Sequence, residues 1–166
     1  MTTYDIQNYL LDRANIHDTV TKMSMYLDMS RIEALKKEVF HTKVLVDYTS
    51  MFSGEPKLVN GEEQVDSWAK QISKMDSWQH VTTGILIELP QPGAGVDVPE
   101  TATVLANCTV NLSRKGAKGD SDTRNGGRYH IELTRTNQAG NPWRISKLKA
   151  DLVWAAGNWD VYSAMD

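Results

Sequence analysis

The hydrophobic residues of this chain change period once, near Trp78, and that change limits the folds open to it more than any other feature. From Tyr4 to Asp28 the apolar residues Ile6, Leu10, Ile16, Val20, Met23 and Leu27 recur mostly three or four apart, as on one face of a helix. After Trp78, Val81, Thr83, Ile85, Ile87 and Leu89 recur at every second position, the alternation of a strand. Helices first and antiparallel strands last predict an α+β domain, with helices packed on one face of a strongly curved sheet.

The individual elements follow from local signals. Residues 4–28 read as one long helix, or as two with a bend near Asn15, where polar residues cluster. Ser30 with Glu33 three residues later forms a capping-box pattern for a short helix that turns Ile32, Leu35 and Val39 inward. Residues 43–47 read as a strand and MFSGEP as a loop. Asn60 with Glu63 repeats the capping pattern before a helix lined by Val65, Trp68, Ile72 and Met75. Strands are predicted at 79–89, 101–113, 127–137 and 142–154. The proline-rich loop 90–99 separates the first two, because three prolines have no place in a sheet interior. The polar, Gly-rich stretch 115–127 reads as a mobile connection.

At 166 residues the chain suits one domain, 1–166, with a proper core. A net charge of −3 argues against non-specific nucleic-acid binding, which needs a basic face. The single cysteine, Cys108, excludes an internal disulfide and a thiolate metal site, and it favours a reducing compartment. The first residues lack the basic start and apolar run of a signal peptide, and no segment reaches the roughly 20 apolar residues of a membrane span. The expectation is a cytoplasmic protein with no membrane partner.

Five segments in order, MYLDMSRIEAL, VDY at 46–48, QH at 79–80, GGRYH at 126–130 and WRISKLKADLVW at 143–154, resemble the SnoaL-like branch of the nuclear transport factor 2-like superfamily. Within that branch the nearest pattern is that of scytalone dehydratase. The similarity runs from about Ile16 to Trp159. It implies a cone-shaped α+β barrel, a curved antiparallel sheet wrapped around N-terminal helices with a largely apolar pocket. It also implies cofactor-free dehydration, elimination, isomerisation or cyclisation of small, polyketide- or terpenoid-like molecules, although other members of the superfamily only bind proteins or ligands. Carried over by position, Asp28 matches the aspartate that pairs with the catalytic histidine, His80 matches that histidine, and Tyr48 matches a tyrosine that helps bind substrate or an ordered water. The second pocket histidine has no counterpart near residues 112–114. The pocket asparagine is replaced near Glu132, and Leu27 stands where a tyrosine would.

The residue types fit that chemistry. An imidazole titrates near neutral pH, and a carboxylate on its far nitrogen fixes the tautomer and stabilises the imidazolium. His80 can be such a base, with Asp28 as its orienter, or it can be an ordinary strand-edge residue. Tyr48 can donate to a substrate oxygen or fill the core with its hydroxyl at the rim. Arg128, His130 and Glu132 share one strand face. That face is either solvated or turned into the cone, where Glu132 would be a second acid or base and His130 a substrate contact. His17 and His41 are assigned to the surface. Met23, Phe52, Trp68 and Trp154, together with Met25 and Trp78, are expected in the pocket wall or the core. No His or Cys pair has metal-ligand spacing, and no glycine loop opens a helix as a nucleotide site requires.

The functional expectation is a cofactor-independent lyase or isomerase acting on a small hydrophobic substrate. The alternatives are a non-catalytic binding module and a subunit of a larger oxygenase. A homo-oligomer, dimer or trimer, is expected.

Overall fold

The structure, a computed structural model, describes residues 4–165; residues 1–3 and 166 of the expected domain lie outside the described residues. Among the described residues the order is α1 (Ile6–Asp28), α2 (Ile32–Glu38), β1 (Phe40–Asp47), β2 (Lys57–Asn60), α3 (Gly61–Ile72), β3 (Ser77–Glu88), β4 (Thr101–Ser113), β5 (Asp122–Arg135), β6 (Trp143–Gly157) and a 3-10 helix (Trp159–Met165). The six strands form one curved sheet in the order β2-β1-β6-β5-β4-β3. All neighbours are antiparallel except β1 and β6, which run parallel. The α+β class expected from the sequence is that of the structure, but the sheet is mixed and not wholly antiparallel, because β1 lies parallel to β6.

Helix α1 is continuous. At Asn15, where a bend was one expectation, the main-chain oxygen accepts from the Thr19 hydroxyl and from the Asn141 amide, so the polar cluster docks the helix on the β5–β6 turn instead of breaking it. Its buried stripe runs through Asp12, Ile16, Thr19, Val20, Met23, Ser24 and Leu27. Ile6 and Leu10, expected on that stripe, are exposed. The buried Asp12 carboxylate instead anchors the first turns, accepting from Tyr4 Oη at 3.0 Å, Trp143 Nε1 at 2.9 Å and Arg135.

Ser30 ends α1 and does not begin α2. Its φ is +55°. Its N–H bonds to the Leu27 oxygen and that of Arg31 to the Tyr26 oxygen, the two bonds of a left-handed helix terminus. An N-cap needs extended backbone, so the capping box fails here. Helix α2 starts after Arg31 with no side-chain cap; Leu35 is its fully buried residue, and Val39, buried too, follows it as the C-cap. At α3 the expectation holds: Asn60 Oδ1 accepts from the N–H groups of Glu62 and Glu63.

The Gly-rich stretch is shorter as a connection than expected. Strand β5 starts at Asp122, paired with Ser113, so Gly126 and Gly127 are strand residues. Both are needed for close approach. A Cβ on Gly126 would lie 2.2 Å from the Trp154 ring nitrogen, and one on Gly127 would lie 2.1 Å from the Asp151 main-chain oxygen. Opposite them β6 carries one extra residue, Val153, since Gly127 pairs with Leu152 and Gly126 with Trp154. Such a bulge bends the strand and moves every following side chain to the other face. Strand β2 and the 3-10 helix have no counterpart in the sequence reading.

The main core lies between the helices and the concave face of the sheet, around Ile16, Val20, Leu35, Val44, Val104, Ile131 and Leu148. Burying each such side chain stabilises by about 1.5–3 kcal/mol. A smaller cluster of Met75, Leu112, Val161 and Tyr162 closes the other end. Among the described residues no helix is long and apolar enough to cross a membrane.

Candidate active site

The left-handed turn at Ser30 leaves Asp28 as the last helical residue of α1, directed at strand β3. His80 sits there with its side chain 15 % exposed, as is that of Asp28. One carboxylate holds the residue twice: Oδ1 is 2.6 Å from His80 Nδ1, and Oδ2 accepts the His80 main-chain N–H at 2.7 Å. A carboxylate only accepts, so Nδ1 carries a proton, and in the neutral imidazole Nε2 is the nitrogen with the free lone pair. The main-chain bond also covers part of the free edge of β3, which a sheet leaves unpaired by default.

His80 lies on the wall of a cavity of about 750 Å³ enclosed by α1, α3, the sheet and the 3-10 helix. Asp28 lies behind it, on a second, more open depression shared with Met25, Met29 and Trp78. The order is therefore cavity, imidazole, carboxylate, which is the arrangement of a base and its orienter. A hydrogen bond of 2.7 Å between Ser24, one turn before Asp28, and Thr82, two residues after His80, fixes α1 against β3 beside the pair.

Three phenols face the same space. Tyr48 follows β1, Tyr129 comes from β5 and Tyr162 from the 3-10 helix. Burial raises the pKa of Tyr48 and Tyr129 above the ordinary range, and the Trp68 indole offsets part of the effect at Tyr48. Burial pushes Tyr162 up to about 12, against an opposing hydrogen bond from Asn125. The Cys108 thiol between them is raised as well, by burial first. All four groups are neutral hydrogen-bond donors at physiological pH. Met23, Leu27, Phe52 and Trp68 supply much of the apolar wall.

The structure thus brings His80, Asp28, Tyr48, Met23, Phe52 and Trp68 to one site. It does not bring Glu132, His130 or Trp154 there. Along β5 the inward residues are Tyr129, Ile131 and Leu133, so Glu132 points outward and pairs with Lys147 at 2.7 Å. His130 is on the same outer face, 2.9 Å from Asp151. Trp154 would have faced inward in an unbroken strand, but the extra residue Val153 turns it out over Gly126, where it is 44 % exposed. Met25 is also exposed. The sequence reading missed Asn125, Tyr129, Tyr162 and Cys108 as cavity residues. Tyr129 had a signal, since it alternates with the apolar Ile131 and Leu133. Asn125 and Tyr162 had none. Among the described residues, no three His, Cys, Asp or Glu side chains converge to hold a metal.

Comparison with known proteins gives a consistent picture. The family profile described as the SnoaL-like domain matches residues 8–149. The Kfla4162 protein from Kribbella flavida superimposes with a TM-score of 0.76 at 17 % identity, covering 93 % of this chain and 96 % of its own. A protein from Novosphingobium aromaticivorans, provisionally named a scytalone dehydratase, gives 0.67 at 14 % identity, covering 89 % and 88 %. Hexachlorocyclohexane dehydrochlorinase LinA-type3 from Novosphingobium barchaimii gives 0.69 at 13 % identity, covering 89 % and 90 %. At these identities the likeness establishes the fold. No curated protein sequence gives a significant match.

Proposed function

The chain belongs to the SnoaL-like domain family, and we propose that it is a cofactor-independent lyase or isomerase in which His80 moves a proton to and from a small hydrophobic substrate. The observation that carries this reading is the doubly held His80–Asp28 pair in a cavity wall, with the carboxylate on the side away from the cavity. His80 Nε2 takes a proton from a substrate carbon. The Asp28 carboxylate stabilises the imidazolium that results, and the same nitrogen returns the proton to a leaving hydroxyl or to another carbon. One such group supplies about 10²–10⁴-fold, and positioning in a water-poor cavity supplies the rest. Tyr48, held protonated by burial, donates to a substrate oxygen. The largely apolar wall with neutral donors, flanked by Glu55, Lys57, Arg128 and Asp151, suits a polyketide- or terpenoid-like intermediate that carries oxygen groups.

Proton transfer is testable before the natural substrate is identified. Enolisable ketones and β-hydroxy ketones of one to three rings are incubated with the protein in D₂O and followed by NMR. The expected result is protein-dependent C–H exchange or loss of water for part of the panel, abolished in His80→Ala. Tight binding of these compounds with no exchange and no elimination would support a ligand-binding module instead.

A further inference from the structure

The 3-10 helix contributes more to the cavity than a lid would. Tyr162 is 7 % exposed and Asn125 is 4 % exposed, and both line the cavity. The Asn125 amide nitrogen donates to the Tyr162 hydroxyl. A phenol that accepts an N–H bond keeps its own proton, and the bond polarises that proton into a better donor. Strand register fixes where this pair stands. His80 is opposite Val110, and Val110 is opposite Asn125, so the three occupy one row across the concave face. With strands about 4.8 Å apart, His80 and Asn125 are on the order of 10 Å apart at Cα, with Val110 as the floor between them. The imidazole reaches in from one side of the gap, and the Asn125–Tyr162 pair from the other.

The helix that carries Tyr162 is fastened. Arg114, just past β4, bonds to the Val161 oxygen at 3.1 Å, the Asp160 oxygen at 2.8 Å and Ser163 Oγ at 3.0 Å. The Tyr162 ring packs on Trp159 and Phe52, with centroids 4.7 and 5.5 Å away.

We propose that Tyr162, positioned by Asn125, donates a hydrogen bond to the substrate oxygen on which negative charge develops, and so selects neutral ketones whose neighbouring C–H faces His80. This rests on the reading of His80 as the base. In the step, the C–H bond breaks and its proton goes to His80 Nε2. The electron pair forms the C=C bond of an enolate while the carbonyl π pair moves onto oxygen, held by the Tyr162 hydroxyl. In an elimination the enolate pair returns, the β C–O bond breaks, and the leaving hydroxyl takes the proton from the imidazolium to depart as water.

The test uses 4-nitrophenol, whose phenolate places a conjugated anionic oxygen where the enolate oxygen would be and reports itself by absorbance. The whole chain is titrated with the probe, and thermal unfolding is recorded for every variant. Tyr162→Phe keeps the ring and removes only the hydroxyl; it is expected to weaken probe binding about 10-fold. Asn125→Ala is expected to weaken it similarly, yet to add nothing in the Tyr162→Phe background, because Asn125 acts through Tyr162. His80→Ala is expected to lose C–H exchange, whatever its effect on the probe. If His80→Ala kept its exchange activity while Tyr162→Phe still lost the probe, the base would be wrong and the oxygen site would stand. Unchanged probe affinity in a folded Tyr162→Phe, no binding by the parent protein, or an equal loss from Asn125→Ala in both backgrounds would overturn the proposal.

Discussion

Asp28 makes two hydrogen bonds to one residue, and only one of them depends on that residue's side chain. Truncation to Asp28→Ala removes both the ring bond and the main-chain bond to His80. Hydrogen bonds to a charged partner contribute about 1.5–3 kcal/mol each, and the low end applies here because water can enter from the open depression behind Asp28. The total loss should be about 3 kcal/mol. For a chain of 166 residues that is a fall in Tm of roughly 6–12 °C. His80→Ala removes the ring bond but keeps the main-chain N–H, so Asp28→Ala in that background should cost only about 1.5 kcal/mol. The double-mutant cycle, measured by urea unfolding of four proteins, should therefore show a coupling of about 1.5 kcal/mol, equal to the ring bond alone. Additivity within about 0.3 kcal/mol would mean that carboxylate and imidazole do not interact in the folded protein, and the orienting role of Asp28 would fall with it.

Three further outcomes are expected. Ser30→Gly should raise stability by about 0.5 kcal/mol, since relief of a left-handed serine exceeds the added entropy of the unfolded chain, and a lower Tm would contradict the helix terminus assigned here. Gly127→Ala should cost at least about 2 kcal/mol because its Cβ meets main chain, whereas Gly126→Ala should cost less because the exposed Trp154 ring can move; equal costs in thermal unfolding would show that the ring is as fixed as the backbone. Tyr4, Tyr48, Tyr129 and Tyr162 have folded pKa values raised above the unfolded value of about 10, so their contribution to stability is intact below pH ~10 and is lost as pH rises through the folded values. Ultraviolet titration should show four of the six tyrosines ionising only above that pH, together with loss of the fold, and ionisation of more than two near pH 10 in the folded protein would refute their burial.

What the sequence revealed and what it hid separate along physical lines. The change of period at Trp78 was legible as a strand, but not its face: Val81 and Thr83 point outward, and a register shift between Thr83 and Leu86 turns Ile85 and Ile87 inward. The Asp28–His80 pairing, which joins residues 52 apart, came from family resemblance, since periodicity says nothing about which distant side chains meet. Trp154 was misplaced by a single event, the extra residue Val153, which no hydrophobic pattern announces. Glu132 and His130 were left open between two faces, although Tyr129, Ile131 and Leu133 already marked the inner one. Ser30 fitted a capping box in residue type and failed it in backbone conformation, which is decided by how α1 must stop to aim Asp28 at β3. Asn125 and Tyr162 carried no signal because their partnership exists only after the 3-10 helix folds back over the sheet.

The most direct measurement is turnover of His80→Ala on any compound that the parent protein exchanges or dehydrates, paired with thermal unfolding of the same samples. Loss of the proton carrier should lower turnover by about 10²-fold or more with the fold retained. A structural histidine would cost stability on a similar scale but leave turnover unchanged. A destabilised but fully active His80→Ala would contradict proton transfer by this residue.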